Sequence, residues 1–298
     1  RIKMSNFIDL KNLSAEQLLD LVSLSTKWKN QTPPKFMKDK QVVLIFEKPS
    51  LRTRVSFEVG INQLGGNSYL LNEKEMQLGQ RETIEDTARV LERYADMVII
   101  RCFEHEKMIK FASASSIPVV NALTDFSHPC QVIADLVTIK EHLLDLKNKK
   151  IAWFGDCNNV LQSWIEASVL LNFELNIACP EEIVINQEVM VWANARSDKI
   201  KIMHNPHQAA DGANCIITDT WTSMGDKKTT SEKLFLPFQV NKSIMSIADE
   251  KAIFMHCLPA YRDKEVSSEV LEGKQSVIFD EAENRLHAQK AIMHYCVS

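Results

Sequence analysis

Two arginines and two hydroxyl side chains fall within five positions, Ser50-Leu51-Arg52-Thr53-Arg54. They follow the apolar run Val42-Val43-Leu44-Ile45-Phe46, which reads as a buried strand. They precede Val55 to Leu64, which reads as a helix with Phe57, Ile61 and Leu64 on one face. A strand that turns into a helix leaves unpaired N–H groups at the positive end of the helix dipole. Guanidinium forks match phosphate oxygens two at a time. The bland alternative is a pair of solvated arginines at an ordinary helix start. The strand before and the helix after favour a phosphate site.

Three further groups could act on what such a phosphate carries. His128 and Gln131 are three apart on one helical turn, so both can face one ligand. An imidazole N–H can donate to a carbonyl, and the Gln amide can accept from an NH2 group. His256-Cys257-Leu258-Pro259 places a thiol after an apolar run, where proline stops regular structure. Asp219, in Asp219-Thr220-Trp221-Thr222-Ser223-Met224-Gly225, could cap a turn or hold an ammonium group. Arg285, taken alone, reads as a surface arginine.

Strand-like runs at 41–46, 97–100, 118–121, 150–154, 174–178, 214–217, 252–255 and 276–279 alternate with helical segments. That alternation predicts an α/β fold with mostly parallel sheets. Thr83-Ile84-Glu85-Asp86 opens a helix, and 128–144 reads as a long one. A polar stretch at 145–150 follows it. The boundary drawn there gives domains 1–145 and 146–280, with a last helix over 281–298 that can pack on either. Ligands of such sheets bind beyond the carboxyl ends of the strands. Arg101, the Asp156-Cys157-Asn158-Asn159 run, Asp219 and Cys257 all follow predicted strands.

Composition excludes several classes. The chain has 298 residues, 45% hydrophobic and 25% charged, as in a globular protein. A net charge of −4 implies no broad basic face, so no nucleic-acid partner is expected. No apolar run approaches the roughly 20 residues that span a bilayer, and none resembles a signal peptide. The seven cysteines lack CxxC pairs. Free thiols in a reducing, cytoplasmic setting are the expectation, with no zinc site.

Together these blocks resemble the aspartate/ornithine carbamoyltransferase family, from about Leu10 to about Ile292. Ser-x-Arg-Thr-Arg and His-Pro-x-Gln are shared across that family. Asp156 to Asn159, Asp219 to Gly225 and His256 to Pro259 resemble its ornithine branch. The resemblance implies two doubly wound domains and transfer of the carbamoyl group of carbamoyl phosphate to the δ-amine of L-ornithine, without metal or organic cofactor. It assigns Ser50, Leu51, Arg52, Thr53 and Arg54 to the phosphate. Arg101, His128, Gln131, Arg285, Cys257 and Leu258 fall at the carbamoyl end, and Asn159, Asp219, Ser223 and Met224 at ornithine. Arg101, His128, Asp219 and Cys257 are then the catalytic set. Gln77 matches a position that reaches a neighbouring subunit's site, which implies a homotrimer or a multiple of one. Two positions depart from the family pattern: Leu51 stands where threonine is usual and Cys157 where glycine is usual.

Rival readings are a carbamoyltransferase acting on putrescine, an acylated ornithine or aspartate, a silent homologue, and a nicotinamide-dependent oxidoreductase. Ile151 to Asn159 lacks GxGxxG, which weakens the last.

Overall fold

The computed structural model describes residues 4–72, 78–144, 146–222 and 231–298. The chain divides into two compact units, 1–137 with 283–298, and 138–282.

The first unit is built on a parallel sheet of β1 (Gln41–Phe46), β2 (Asn67–Asn72), β3 (Met97–Arg101) and β4 (Val119–Leu123), in the order β2-β1-β3-β4. Its helices are α1 (Ala15–Asn30), α2 (Leu51–Gln63), α3 (Ile84–Leu91) and α4 (His105–Ala114). The inner strands are apolar almost throughout because both of their faces are covered. Hydroxyl side chains start three of the helices. Ser14, Ser50 and Thr83 each accept a hydrogen bond from the third residue of the helix that follows. Helix α5 (Pro129–Leu143) runs through the division at Val137/Thr138. The sequence reading had put the boundary in the polar stretch after it.

The second unit has five parallel strands: β5 (Lys150–Phe154), β6 (Glu174–Ala178), β7 (Ile200–Met203), β8 (Cys215–Thr218) and β9 (Ile253–His256), in the order β7-β6-β5-β8-β9. Helices α6 (Asn159–Leu171), α7 (Gln187–Asn194), α8 (Pro206–Ala210), α9 (Lys242–Ile247) and α10 (Ser268–Leu271) connect them. The last helix, α11 (Ile278–Val297), starts in this unit and has most of its length, from Glu283, in the first. Ala152, Phe154, Ile216 and Phe254 lie at the centre of one buried core of the second unit.

Each unit is therefore a parallel α/β sheet flanked by helices, as the alternation predicts. Three details differ. Strands β2 and β7 were not expected; both are edge strands with partly exposed faces, so their sequences are mixed rather than apolar. The predicted strand at 276–279 is instead a single bridge, Phe254 to Ser276, followed directly by α11. Helix α2 begins at Leu51, so the cationic cluster forms its first turn. Among the described residues no helix is long and apolar enough to cross a membrane.

Candidate active site

In the first unit the site grows from the end of β1. The chain leaves Phe46 and turns at Ser50, whose Oγ accepts from the Thr53 N–H at 3.3 Å, opening α2. That places Thr53 on the buried side of the first turn, 1% exposed. Strand register sets Arg101 beside Phe46. Arg101 Nη1 donates to Thr53 Oγ1 at 3.0 Å, and Arg285 Nη2, from α11, donates to the same oxygen at 3.2 Å. Arg285 Nη1 also donates to Gln131 Oε1 at 2.6 Å, and Gln131 Nε2 donates to Asp135 Oδ1 at 2.7 Å. A buried chain thus runs from Asp135 through Gln131 and Arg285 to Thr53 and Arg101. Since the Thr53 oxygen accepts from two guanidiniums, its own O–H remains the donor for a ligand.

His128 directly precedes α5 and is buried. Burial first, then the positive charges of Arg285 and Arg101, hold its imidazole well below the ordinary histidine value of 6.5. It is neutral at neutral pH and keeps one N–H donor. Arg52 is half-buried. Arg54 is exposed and pairs with Glu58 one turn on, at 3.3 Å, outside the Thr53 chain. Leu51 is 75% exposed, so at this first helical position the backbone N–H is the group on offer.

In the second unit, β8 and β9 are paired with Thr218 opposite His256. The next residue on each strand is therefore Asp219 and Cys257, side by side beyond the carboxyl ends. Cys257 Sγ donates to Asp219 Oδ1 at 3.2 Å, Thr220 N donates to the same oxygen at 2.7 Å, and Asn158 Nδ2 donates to Oδ2 at 2.7 Å. Asn158 also caps α6 through its own side-chain oxygen, which accepts from Val160 N and Leu161 N. His256 is fully buried, with Nε2 against Glu265 Oε1 at 3.0 Å and Nδ1 accepting from Leu258 N at 2.9 Å. The backbone N–H of His256 donates to Glu281 Oε2 at 2.8 Å, and Leu258 adopts a left-handed φ of 58°. Behind the site, Gly155 ends β5 at φ 105°. A Cβ there would lie 3.0 Å from Trp221 Nε1, and Trp221 stacks on Phe235.

The comparisons with known proteins also divide the chain in two, between residues 141 and 147. The model described as aspartate/ornithine carbamoyltransferase, carbamoyl-P binding domain, matches residues 5–141; the one described as the Asp/Orn binding domain matches 147–296. The ornithine carbamoyltransferase of Brucella ovis is 48% identical over 299 residues, covering 99% of this chain and 96% of that relative. The chain belongs to the aspartate/ornithine carbamoyltransferase family. A second relative so named, from Rhodopseudomonas palustris, is 48% identical over 298 residues, 98% of this chain and 96% of its own length. Among solved structures, the anabolic ornithine carbamoyltransferase of Campylobacter jejuni matches with a TM-score of 0.94 and 40% identity, over 98% of this chain and 99% of that one. The enzyme from Pyrococcus furiosus matches at 0.93 and 39%, over 98% and 96%.

Within this carbamoyltransferase frame, the structure gathers Thr53, Arg101, Gln131 and Arg285 into one chain in the first unit, and Asp219 and Cys257 into one cluster in the second. Asn159 is half-buried at the start of α6, next to the residue that holds Asp219. Gln77, Ser223 and Met224 lie outside the described residues. Sequence reasoning missed Glu47, Asp135, Asn158, Glu265 and Glu281. Glu47 accepts from Phe103 N at 3.1 Å, while its own N–H donates to Arg101 O at 2.9 Å, so it fixes the strand end on which Arg101 sits. Its signal was a carboxylate directly after a fully apolar run. Asp219, His256 and Cys257 offer metal-ligand atoms within 4.8 Å of one another. Both ring nitrogens of His256 already have partners, so a cation there would displace existing hydrogen bonds.

Proposed function

We propose that this chain transfers the carbamoyl group of carbamoyl phosphate to the δ-amine of L-ornithine, releasing L-citrulline and phosphate in arginine metabolism. The observation that carries the reading is the convergence of the Arg101 and Arg285 guanidiniums on the Thr53 hydroxyl in the first turn of α2. Two fixed positive charges at a helix N-terminus suit a dianion. Ser50, Leu51, Arg52, Thr53 and Arg54 take the phosphate. Arg101, His128, Gln131 and Arg285 take the carbamoyl end, with help from the backbone at Cys257 and Leu258. Attack builds negative charge on the carbamoyl oxygen. Arg101, the neutral His128 N–H and the Thr53 O–H are the donors for it, each worth about 3–4 kcal/mol when fixed in advance.

The δ-amine has an ordinary pKa of about 10.4 and arrives protonated. The Asp219–Cys257 pair orients it and draws off its proton, and Asn159, Asp219, Ser223 and Met224 form the amino-acid end. The leaving phosphate is already activated, so this scheme uses no metal or organic cofactor.

Assembly into trimers, with Gln77 reaching a neighbouring site, fits the exposed face of the first unit. Leu51, Val55 and Val59 are exposed at successive turns of α2, and β2 is an open edge. Seven free cysteines fit a reducing, cytoplasmic setting.

The test is citrulline formation from carbamoyl phosphate and ornithine, run beside putrescine, acetylornithine and aspartate. Turnover with ornithine alone is the expected result. Normal turnover in Arg52→Ala would contradict the phosphate assignment.

A further inference from the structure

Every side chain placed at the site so far lies at Glu47 or beyond. The first segment of the chain reaches the site as well. Phe7 pairs in parallel with Val120 along the outer edge of β4: its N–H donates to Val119 O at 2.9 Å, and its carbonyl accepts from Asn121 N at 2.8 Å. Asn121 Nδ2 fastens the same segment by donating to Ile8 O at 2.9 Å. That register delivers Asp9 to the carboxyl end of β4, where the chain leaves the sheet on its way to His128.

Asp9 is 3% exposed, a costly place for a carboxylate unless its oxygens are paired. Both are. Oδ1 accepts from the Ser127 hydroxyl at 2.5 Å, and Oδ2 faces His105 Nε2 at 3.2 Å. The other ring nitrogen of His105 lies 2.9 Å from Thr124 Oγ1, which also accepts from the N–H groups of Phe126 and Ser127. Two accepted bonds leave the Thr124 O–H to donate to His105 Nδ1, so the ring carries its own N–H on Nε2, toward Asp9. The backbone N–H of His105, at the start of α4, donates to Asp125 Oδ1 at 3.0 Å and ties down the same turn.

Ser127 immediately precedes His128. Its hydroxyl donates to Asp9 and accepts from Asn121 Nδ2 at 2.9 Å. Its N–H donates to Thr124 Oγ1 at 3.2 Å, and its carbonyl accepts from Thr124 N at 3.0 Å. On the far side, the His128 carbonyl accepts from Gln131 N at 3.1 Å as α5 opens, and Pro129 sets the next φ. The backbone that carries the His128 ring is thus gripped from both directions.

We infer that Asp9 and His105 are positioning residues for the carbamoyl step, acting through Ser127 to hold the His128 imidazole where its N–H meets the carbamoyl oxygen. A catalytic group displaced by about 1 Å can lose on the order of 100-fold in rate. Without Asp9, the Ser127 hydroxyl and the His105 N–H lose their shared acceptor in a buried place and must turn to find others, while the backbone bonds of Ser127 remain. The shift is therefore partial, and so is the loss. What His128 does once placed there rests on the proposed reaction; its placement by Asp9 does not.

The experiment measures steady-state citrulline formation by Asp9→Ala, Asp9→Asn and Ser127→Ala beside the wild type. Asp9→Ala should lower kcat about tenfold and leave both KM values within about twofold. Asp9→Asn keeps an acceptor for Ser127 and should restore most of kcat; if it is as slow as Asp9→Ala, the inference is overturned. Ser127→Ala removes only the hydroxyl and should match Asp9→Ala, so that one variant can be read should the other fail to fold. In a His128→Ala background, Asp9→Ala should have no further effect on kcat. A purely structural lesion would lower the denaturation midpoint with kcat per folded enzyme unchanged, or cut kcat equally in both backgrounds, and either result overturns the inference. The side-chain 15N resonances of His128, identified by their loss in His128→Gln, give a readout apart from turnover. They should shift in Asp9→Ala and return in Asp9→Asn, while those of His256 stay; an unmoved His128 overturns the inference. If the wild type forms no citrulline, the proposed reaction falls instead, and these resonances decide whether Asp9 places His128.

Discussion

The two clusters are built from opposite charge. In the first unit, guanidiniums converge on one neutral hydroxyl, and the carboxylate that balances them, Asp135, is held at one remove by Gln131. In the second, a carboxylate sits at the centre and takes its donors from an amide, a backbone N–H and a thiol. On the proposed reading the first receives an anion and the second a group that brings protons. Moving a carbamoyl group from its phosphate to an amine, as proposed, calls for both, since one end of the reaction releases an anion and the other a proton.

The contrast breaks most visibly at Arg101. Arg101→Ala removes a donor aimed at developing charge and should lower kcat/KM by about 10²–10³. The loss should appear with carbamoyl phosphate varied, and the ornithine KM should stay near its starting value. Asp219→Asn is the mirror experiment. It keeps the shape and removes the charge, so ornithine affinity should fall about 10–100-fold, as for a charged hydrogen bond, with carbamoyl phosphate binding preserved. If both variants move both KM values together, the division of labour between the clusters is wrong. Thr53→Val leaves two guanidiniums without their shared acceptor and should cost about tenfold in kcat/KM, mostly as KM for carbamoyl phosphate.

The smallest effect is on stability. His128 is held neutral in the fold, below its ordinary value. As pH falls through 6.5 the unfolded chain takes up a proton that the native chain refuses, so this contribution is lost on the acid side. Between pH 7.5 and 5.5 the denaturation midpoint of the wild type should drop further than that of His128→Gln. His287 and His294, which burial also holds down, affect both proteins alike.

Inner strands announced themselves in the sequence because they are buried on both faces and carry unbroken apolar runs. Edge strands β2 and β7 did not, since half of each faces outward and the alternation is short. At the site, arginines, His128, Asp219 and Cys257 could be named because their chemistry is unusual at strand ends. The groups that hold them could not. Glu265 and Glu281 reach His256 from positions with no short-range spacing to mark them, and Asn158, which holds Asp219, is the immediate neighbour of Asn159, which the sequence reading named. Arg285, read alone as a surface residue, is buried because α11 carries it back to the first unit.

The contact between Gly155 and Trp221 has a practical side. An indole pressed on a glycine and stacked on Phe235, two residues along the chain from Asp219, has little room to shift without changing its surroundings. Any amino acid that settles against Asp219 and moves that segment should alter the emission of Trp221. The protein thus carries its own fluorophore beside the proposed amine site, and occupancy there can be followed by light, without a label.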